Sequence, residues 1–100
     1  MTSFRAKIFH ALSTPERLEI LEFLRDGEKC VCEITPHLGL IQPVVSRHLK
    51  ILKDSGIVSF RKDGTNRLYS ITDPQIFKII DDATPKLVDR YTTKIIEQMT

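Results

Sequence analysis

The fold of this chain is decided by the stretch Leu40-Ile41-Gln42-Pro43-Val44-Val45-Ser46-Arg47-His48-Leu49-Lys50-Ile51-Leu52-Lys53-Asp54-Ser55-Gly56. Val45, Leu49 and Leu52 recur at a spacing typical of one buried helix face, and Gly56 is expected to end the helix. The opposite side carries short polar and cationic side chains: Gln42, Ser46, Arg47, Lys50 and Lys53. Such side chains reach base edges and hold phosphates. Taken alone, the segment fits a solvated amphipathic helix better than a helix that reads DNA. The neighbouring segments decide between these two interpretations.

Length and composition indicate one ordinary globular domain over residues 1–100. The chain is 41% hydrophobic and 28% charged, and 100 residues allow only a modest core. No apolar run is long enough to span a membrane, and the first residues lack the apolar core of a signal peptide. We therefore expect a cytoplasmic domain with no membrane partner.

Charge is unevenly distributed along the chain, although the formal net charge is only +2. Residues 42–69 hold six cations against two anions, whereas the remainder holds nine cations against eleven anions. A basic middle on a mildly acidic body fits a face that binds a polyanion.

Three shorter helices are expected before the quoted stretch, and the first runs over residues 4–12, where Phe4, Ile8 and Leu12 recur every four residues. The run from Ser13 to Glu16 is a helix start signal with a capping hydroxyl and a proline, and the helix that it opens is expected at the centre of the core. A short helix then runs from about Cys30 to Leu38, with Pro36 in its first turn because proline deeper in a helix breaks a hydrogen bond. A short helix, a glycine turn and an amphipathic helix predict a helix-turn-helix.

The second half of the chain predicts a hairpin followed by a long helical segment. Residues 57–61 and 67–71 are rich in β-branched and aromatic side chains and flank Asp63-Gly64, a strong hairpin signal. A basic hairpin after a helix-turn-helix is a wing, so the predicted fold class is mainly α with a β-hairpin wing. The segment over about 75–98, with a kink or break near Thr84, carries more apolar surface than one small core can cover. We expect it to pair with a second copy.

Taken together, these segments resemble the ArsR/SmtB family of small winged-helix repressors. The resemblance is carried by residues 9–21, 38–40 and 42–52 and by the wing from 56 to 69. It implies a homodimer joined through its first and last helices, with two recognition helices in successive major grooves of an inverted-repeat operator. It implies a transcriptional repressor and not an enzyme.

The matching positions imply which side chains meet double-stranded DNA. Those facing the groove would be Gln42, Ser46, Arg47 and His48. Those facing phosphates would be Lys50, Lys53, Arg61, Lys62 and Arg67. His48 has a competing role as a core residue, and Tyr69 is expected in the core of the wing.

The Cys30-Val31-Cys32 run is similar to the Cys-Val-Cys of arsenic- and cadmium-sensing family members. Thiolates at a helix N-terminus are ligands that soft ions select, so As(III), Sb(III) or Cd(II) at this pair is expected to release the DNA. The arsenic-sensing pattern has a third cysteine where this chain has Thr35. His37 is the preferred third ligand, with His10, a small thiol or water as alternatives.

Other interpretations of the pair stay open. Oxidation of Cys30 and Cys32 would make a thiol redox switch, whereas a structural disulfide is not expected in a reducing compartment. The two residues also fit inert small apolar side chains at a helix start. The rival to DNA binding is a winged-helix module that binds protein. An enzyme is disfavoured because no orienting residue is visible beside Cys30 and His37.

Overall fold

The computed structural model describes residues 1–99, and its order of elements agrees with the predicted winged helix-turn-helix. The helices are α1 (Thr2–Ala11), α2 (Pro15–Phe23), α3 (Val31–Leu38), α4 (Gln42–Asp54), α5 (Ile76–Asp82) and α6 (Pro85–Gln98). The strands are β1 (Lys29–Cys30), β2 (Val58–Asp63) and β3 (Asn66–Ile71).

Hydroxyl caps followed by proline start two of these helices. The Thr14 Oγ accepts a hydrogen bond from the Arg17 backbone N–H at 3.2 Å, and the Thr84 Oγ accepts one from the Leu87 N–H at 3.2 Å. Each cap satisfies a donor that a helix start leaves without an intrahelical partner, and the next residue is a proline already set for the first turn. The cap at Thr84 separates α5 from α6, so the predicted interruption near this residue is confirmed as a break.

The core lies where α2, α3 and α4 meet, and α2 is at its centre as predicted. Apart from Ala11 of α1, the described side chains with no exposed surface come from these three helices: Ile20, Leu21, Ile34, Val45, Leu49 and Leu52. The last three are the apolar face predicted for α4. Burial of this face fixes the rotation of α4 about its axis, and so it determines which side chains α4 offers to solvent.

The wing is the hairpin of β2 and β3, and it belongs to a three-stranded antiparallel sheet of order β1-β3-β2. In the hairpin Lys62 pairs with Arg67, and on the other edge of β3 Cys30 pairs with Leu68. Strand β1 was not predicted, because two residues are too few to show a period. It attaches the wing directly to the segment that enters α3.

Helix α3 differs from the prediction in one respect. Pro36 lies in the second turn of the helix and not in the first, so the helix lacks one internal N–H donor there. The helix is short enough to tolerate this loss, because it ends three residues later at Gly39, whose φ of 67° is left-handed. Cys30 is the residue that caps α3 and Cys32 lies in its first turn, as expected.

A buried arginine joins three helices. Arg17 of α2 is only 4% exposed, and its Nε donates to the Ala11 carbonyl oxygen at 2.8 Å while one Nη donates to the His10 carbonyl oxygen at 3.1 Å. Both carbonyls belong to the last turn of α1, where a cation is favoured. The other Nη lies 3.0 Å from Nδ1 of His48 in α4.

Helix α6 contributes no buried residue within the single chain. Its apolar side chains Tyr91, Ile95 and Ile96 are 62%, 58% and 59% exposed, and Phe4 of α1 is also largely exposed. None of the helices between residues 1 and 99 has the length and apolar character needed to cross a membrane.

Replacing Arg17 with methionine is expected to lower the free energy of unfolding by about 2–3 kcal/mol. The substitution keeps an unbranched side chain but leaves the buried Ala11 carbonyl oxygen without its charged donor. Urea denaturation followed by circular dichroism measures the change. The matched control is Arg25→Gln, which removes an exposed arginine paired with Glu22 and Asp81 and should have a smaller effect. Equal losses in the two variants would contradict this role for Arg17.

Candidate nucleic-acid interface

The outer face of α4 presents a compact polar surface. Gln42, Ser46 and Arg47 are exposed, and they lie opposite the buried face formed by Val45 and Leu49. Gln42 and Ser46 are four residues apart, so they are neighbours on one side of the helix. An amide, a hydroxyl and a guanidinium on one exposed helix face can donate to base edges and accept from them.

His48 takes up the competing structural role. Arg17 always donates, so the His48 Nδ1 at 3.0 Å must accept, which places any ring proton of the neutral form on Nε2. The residue is half-buried. Only the Nε2 edge of its ring is left for a contact outside the fold.

The two lysines of α4 stand near the C-terminal end of the helix. The Lys50 Nζ donates to Asp54 at 2.8 Å, and this hydrogen bond raises the pKa of Lys50 and lowers the pKa of Asp54. The Lys53 Nζ lies 3.9 Å from the same carboxylate and 5.7 Å from the centre of the Phe60 ring in the wing. Asp54 therefore offsets part of the positive charge of this end of α4.

Strand alternation divides the cations of the wing between its two faces. Lys62 shares one face with Phe60 and with their cross-strand partners Arg67 and Tyr69. The Arg67 guanidinium carbon lies 4.9 Å from the centre of the Phe60 ring, and the Phe60 and Tyr69 rings are 5.5 Å apart. Tyr69 is buried, which confirms its predicted place in the core of the wing.

Arg61 lies on the other face of the wing and is already paired. Its Nη2 and Nε donate to the two carboxylate oxygens of Glu28 at 2.6 and 3.1 Å. The hydrogen bond with Arg61 is the main reason that the pKa of Glu28 is below its usual value. On sequence Arg61 was predicted to contact phosphates together with Lys62 and Arg67. In the structure it lies on the opposite face of the wing from these two residues and is paired with Glu28.

Cys30 and Cys32 are joined by a disulfide in the structure, whereas free thiols were expected from the sequence. The reason is geometric. Cys30 is extended, with ψ at 159°, and the helix begins immediately after it, so the two Cα atoms are only 5.1 Å apart. This separation lies in the usual range for bonded cysteines.

The structure does not group His37, the predicted third ligand, with the two cysteines. Its ring is stacked on Phe23, with centroids 3.8 Å apart. His37 is five positions after Cys32 on α3, which places the two side chains on different sides of the helix. Among residues 1–99 no three side chains of the types His, Cys, Asp and Glu are grouped so that they could hold a metal ion.

The position that carries the third cysteine in the arsenic-sensing pattern is occupied by a neutral hydroxyl. The Thr35 Oγ is buried and has no hydrogen-bond partner among the described residues. Thr35 lies one turn from Cys32 on the same side of α3, but it offers no thiolate. The residues present therefore do not fit a complete three-ligand site for a soft metal within one chain.

The helix-turn-helix of α3 and α4, with the antiparallel wing behind it, defines a winged helix-turn-helix domain. The chain is similar to a solved homodimeric winged helix-turn-helix DNA-binding domain from Mycobacterium bovis, with a TM-score of 0.73, 28% identity, and coverage of 97% of this chain and 85% of that one. Residues 14–59 also match the family model described as bacterial regulatory protein, arsR family.

Two relatives extend the comparison. The chain is 47% identical over 76 residues to an uncharacterized HTH-type transcriptional regulator of Methanocaldococcus jannaschii, covering 75% of this chain and 85% of the relative. It is 43% identical over 75 residues to a probable mercury resistance operon repressor of Streptomyces lividans, covering 75% of this chain and 60% of that protein. The chain belongs to the ArsR family of bacterial regulatory proteins.

We expect Arg61→Gln to raise the pKa of Glu28 towards the ordinary value for a glutamate. The neutral amide removes the positive charge and the strong hydrogen bonds that favour the ionised carboxylate. A pH titration of the side-chain carboxyl carbon by NMR measures this change. Asp26 is the internal control, because its pKa is lowered by Lys29 and should stay where it is. An unchanged Glu28 titration would show that the pair does not persist in solution.

Proposed function

We propose that this chain represses transcription by binding an inverted-repeat operator as a homodimer. Helix α4 would enter the major groove and the wing would lie along the adjacent backbone. The observation that carries the proposal is the two-sided character of α4. One face is locked into the core by Val45, Leu49 and Leu52, and the other exposes an amide, a hydroxyl and a guanidinium.

Different side chains would contact the bases and the phosphates of the DNA. Gln42, Ser46 and Arg47 would contact base edges, with His48 limited to its Nε2 edge. The phosphate contacts would come from Lys50, Lys53, Lys62 and Arg67. Arg61 would contribute least, because binding a phosphate requires it to leave Glu28.

The exposed apolar side chains of α1 and α6 support the proposed dimer. Helix α6 carries Tyr91, Ile95 and Ile96 outside the core of its own chain, and Phe4 and Phe9 of α1 are exposed as well. Apolar faces of this size on a small domain mark an interface. A two-fold axis through them would present two α4 helices to successive grooves, roughly one DNA turn apart. Residues 1–99 would then act as one domain, with 76–98 serving dimerisation.

We further propose that Cys30 and Cys32 sense the signal that releases the operator. Thiol oxidation is the form of sensing that the geometry favours, because the two sulfur atoms are bonded and no third ligand is grouped with them among residues 1–99.

Sensing of a soft metal or metalloid such as As(III), Sb(III) or Cd(II) is the second candidate. It is favoured by the name of the Streptomyces relative, a mercury resistance operon repressor. It requires both thiols to be reduced and a further ligand from outside this set, such as a small thiol or water.

Arg47→Ala is expected to weaken binding to a selected operator more than binding to random DNA. The lost base contact should cost about 1–3 kcal/mol of discrimination. The matched change is Lys62→Gln, which should weaken both DNAs alike and reduce the slope of log affinity against log salt by about one. The wild-type chain selects the operator from a random duplex library, and fluorescence anisotropy measures affinity at several salt concentrations.

This measurement also separates DNA binding from protein binding. A wild-type chain that selects no duplex, or whose affinity for DNA does not depend on salt, would exclude the proposed function. Equal losses of affinity for operator and random DNA in the Arg47→Ala variant would contradict the placement of α4 in the major groove.

Ile95→Glu is expected to convert the dimer into a monomer. A carboxylate buried without a partner in the apolar interface should raise the dimer dissociation constant by about 100-fold or more. Sedimentation velocity over a range of concentrations measures the change. Thr93→Glu adds the same charge to the polar side of α6 and should leave the dimer intact. Dissociation by both variants, or by neither, would argue against this interface.

A further inference from the structure

A basic cleft lies between α3, α4 and the wing, and one of the two cysteines opens into it. The cleft has a volume of about 810 Å³. Its wall carries three cations and no carboxylate: Lys50 and Lys53 from α4 and Arg67 from the wing. The Asp54 carboxylate that contacts both lysines is not part of the wall.

The two cysteines are not equivalent in their access to solvent. Cys30 is only 4% exposed, and it is the residue of β1 that pairs with Leu68. Cys32 is exposed and forms part of the cleft wall together with Thr35. A reagent that arrives from solvent therefore meets Cys32 first, with Cys30 directly behind it.

We propose that Cys32 is the nucleophile that reacts with small disulfides bearing carboxylates, and that Cys30 is the resolving cysteine. The cleft would concentrate such a disulfide because its carboxylates are attracted to Lys50, Lys53 and Arg67. The thiol chemistry stands by itself, and only its effect on DNA rests on the proposed function.

The reaction consists of two exchanges in the reduced protein. The Cys32 thiolate attacks one sulfur of the small disulfide, forming a mixed disulfide and expelling one small thiolate with the electron pair of the broken bond. The Cys30 thiolate then attacks the Cys32 sulfur and expels the second small thiolate. The protein loses two electrons and two thiol protons in all. The small disulfide takes up both electrons and, at neutral pH, leaves as two thiols.

The position of Cys32 gives this chemistry a direct route to DNA binding. The same cleft wall includes Gln42 and Ser46, which are proposed to face the groove. A mixed disulfide at Cys32 places carboxylates beside the cations that would hold phosphates, so DNA and the modifying group compete for the same space. Bound operator should in turn shield Cys32 from the reagent.

The test uses the reduced full chain without DNA and compares three small disulfides of different charge. The probes are dithiodipropionate with two carboxylates, hydroxyethyl disulfide with none, and cystamine with two amines. Each rate of protein thiol loss is divided by the rate for a free cysteine peptide, which removes intrinsic reactivity. We expect the dianionic probe to be favoured over the neutral one by about three- to ten-fold at low salt, cystamine to be disfavoured, and the preference to fade as salt screens the cleft.

Variants that remove positive charge test whether the cleft causes the preference for the dianionic probe. Lys53→Gln with Arg67→Gln leaves only Lys50 of the three cations and should reduce the preference for the dianionic probe by at least half. Lys78→Gln with Lys86→Gln removes the same charge outside the cleft wall and should leave this preference unchanged. Equal normalised rates for all three probes, or an equal effect of the two double variants, would overturn the proposal.

Single cysteine variants test the order of attack. Cys30→Ser should accumulate a mixed disulfide at Cys32, detected as added mass, at a rate close to the first step in the wild type. Cys32→Ser should react at least ten-fold more slowly, because the remaining sulfur is buried. A faster reaction at Cys30 would reverse the assignment. Since these measurements contain no DNA, they are independent of whether the chain binds an operator.

Discussion

The guanidinium of Arg17 is the contact on which the arrangement of α4, the helix proposed to bind DNA, depends. A buried cation normally needs a carboxylate, but here the carbonyl oxygens of Ala11 and His10, the Ser13 hydroxyl and the His48 ring surround it. The carbonyls lie at the negative end of α1, so the helix itself supplies much of the compensation. The Arg17 side chain, which belongs to α2, thus caps α1 and contacts α4.

This contact has a geometric consequence for a two-fold assembly. Helix α1 carries part of the exposed apolar surface proposed for the dimer, and α4 carries the surface proposed for DNA. The distance between the two α4 helices of a dimer therefore depends on the position of α4 relative to α1 and α6. Arg17 and His48 provide a polar link between these surfaces, while Ile20 and Leu21 provide the apolar one. Polar contacts specify orientation more narrowly than apolar packing does, because hydrogen bonds are directional.

The sequence predicted those features that are encoded locally. The periodicity of Val45, Leu49 and Leu52, the cap and proline at Thr14 and Thr84, and the hairpin signal at Asp63-Gly64 each lie within a few residues of one another, and all of these elements are present. What could not be predicted depends on contacts far apart in the chain. Strand β1 exists only because β3, nearly forty residues later, offers it an edge, and Glu28 reaches Arg61 across 33 residues. A sequence pattern within one helix or strand cannot indicate a contact between residues that are far apart in the chain.

The candidate site shows the same division between local and distant information. Residues 42–69 form a basic segment of the sequence, but Glu28 lies outside this segment and neutralises Arg61 within the fold. Likewise the spacing of Cys30 and Cys32 indicated a helix start, yet it did not indicate that one sulfur is buried and the other opens towards cations. A strand places successive side chains on opposite faces, and a helix start turns them through about 100° per residue. Neighbours in sequence therefore acquire different surroundings and different chemistry: Arg61 faces a carboxylate while Lys62 faces the cleft side of the wing, and Cys30 faces the core while Cys32 faces the cleft.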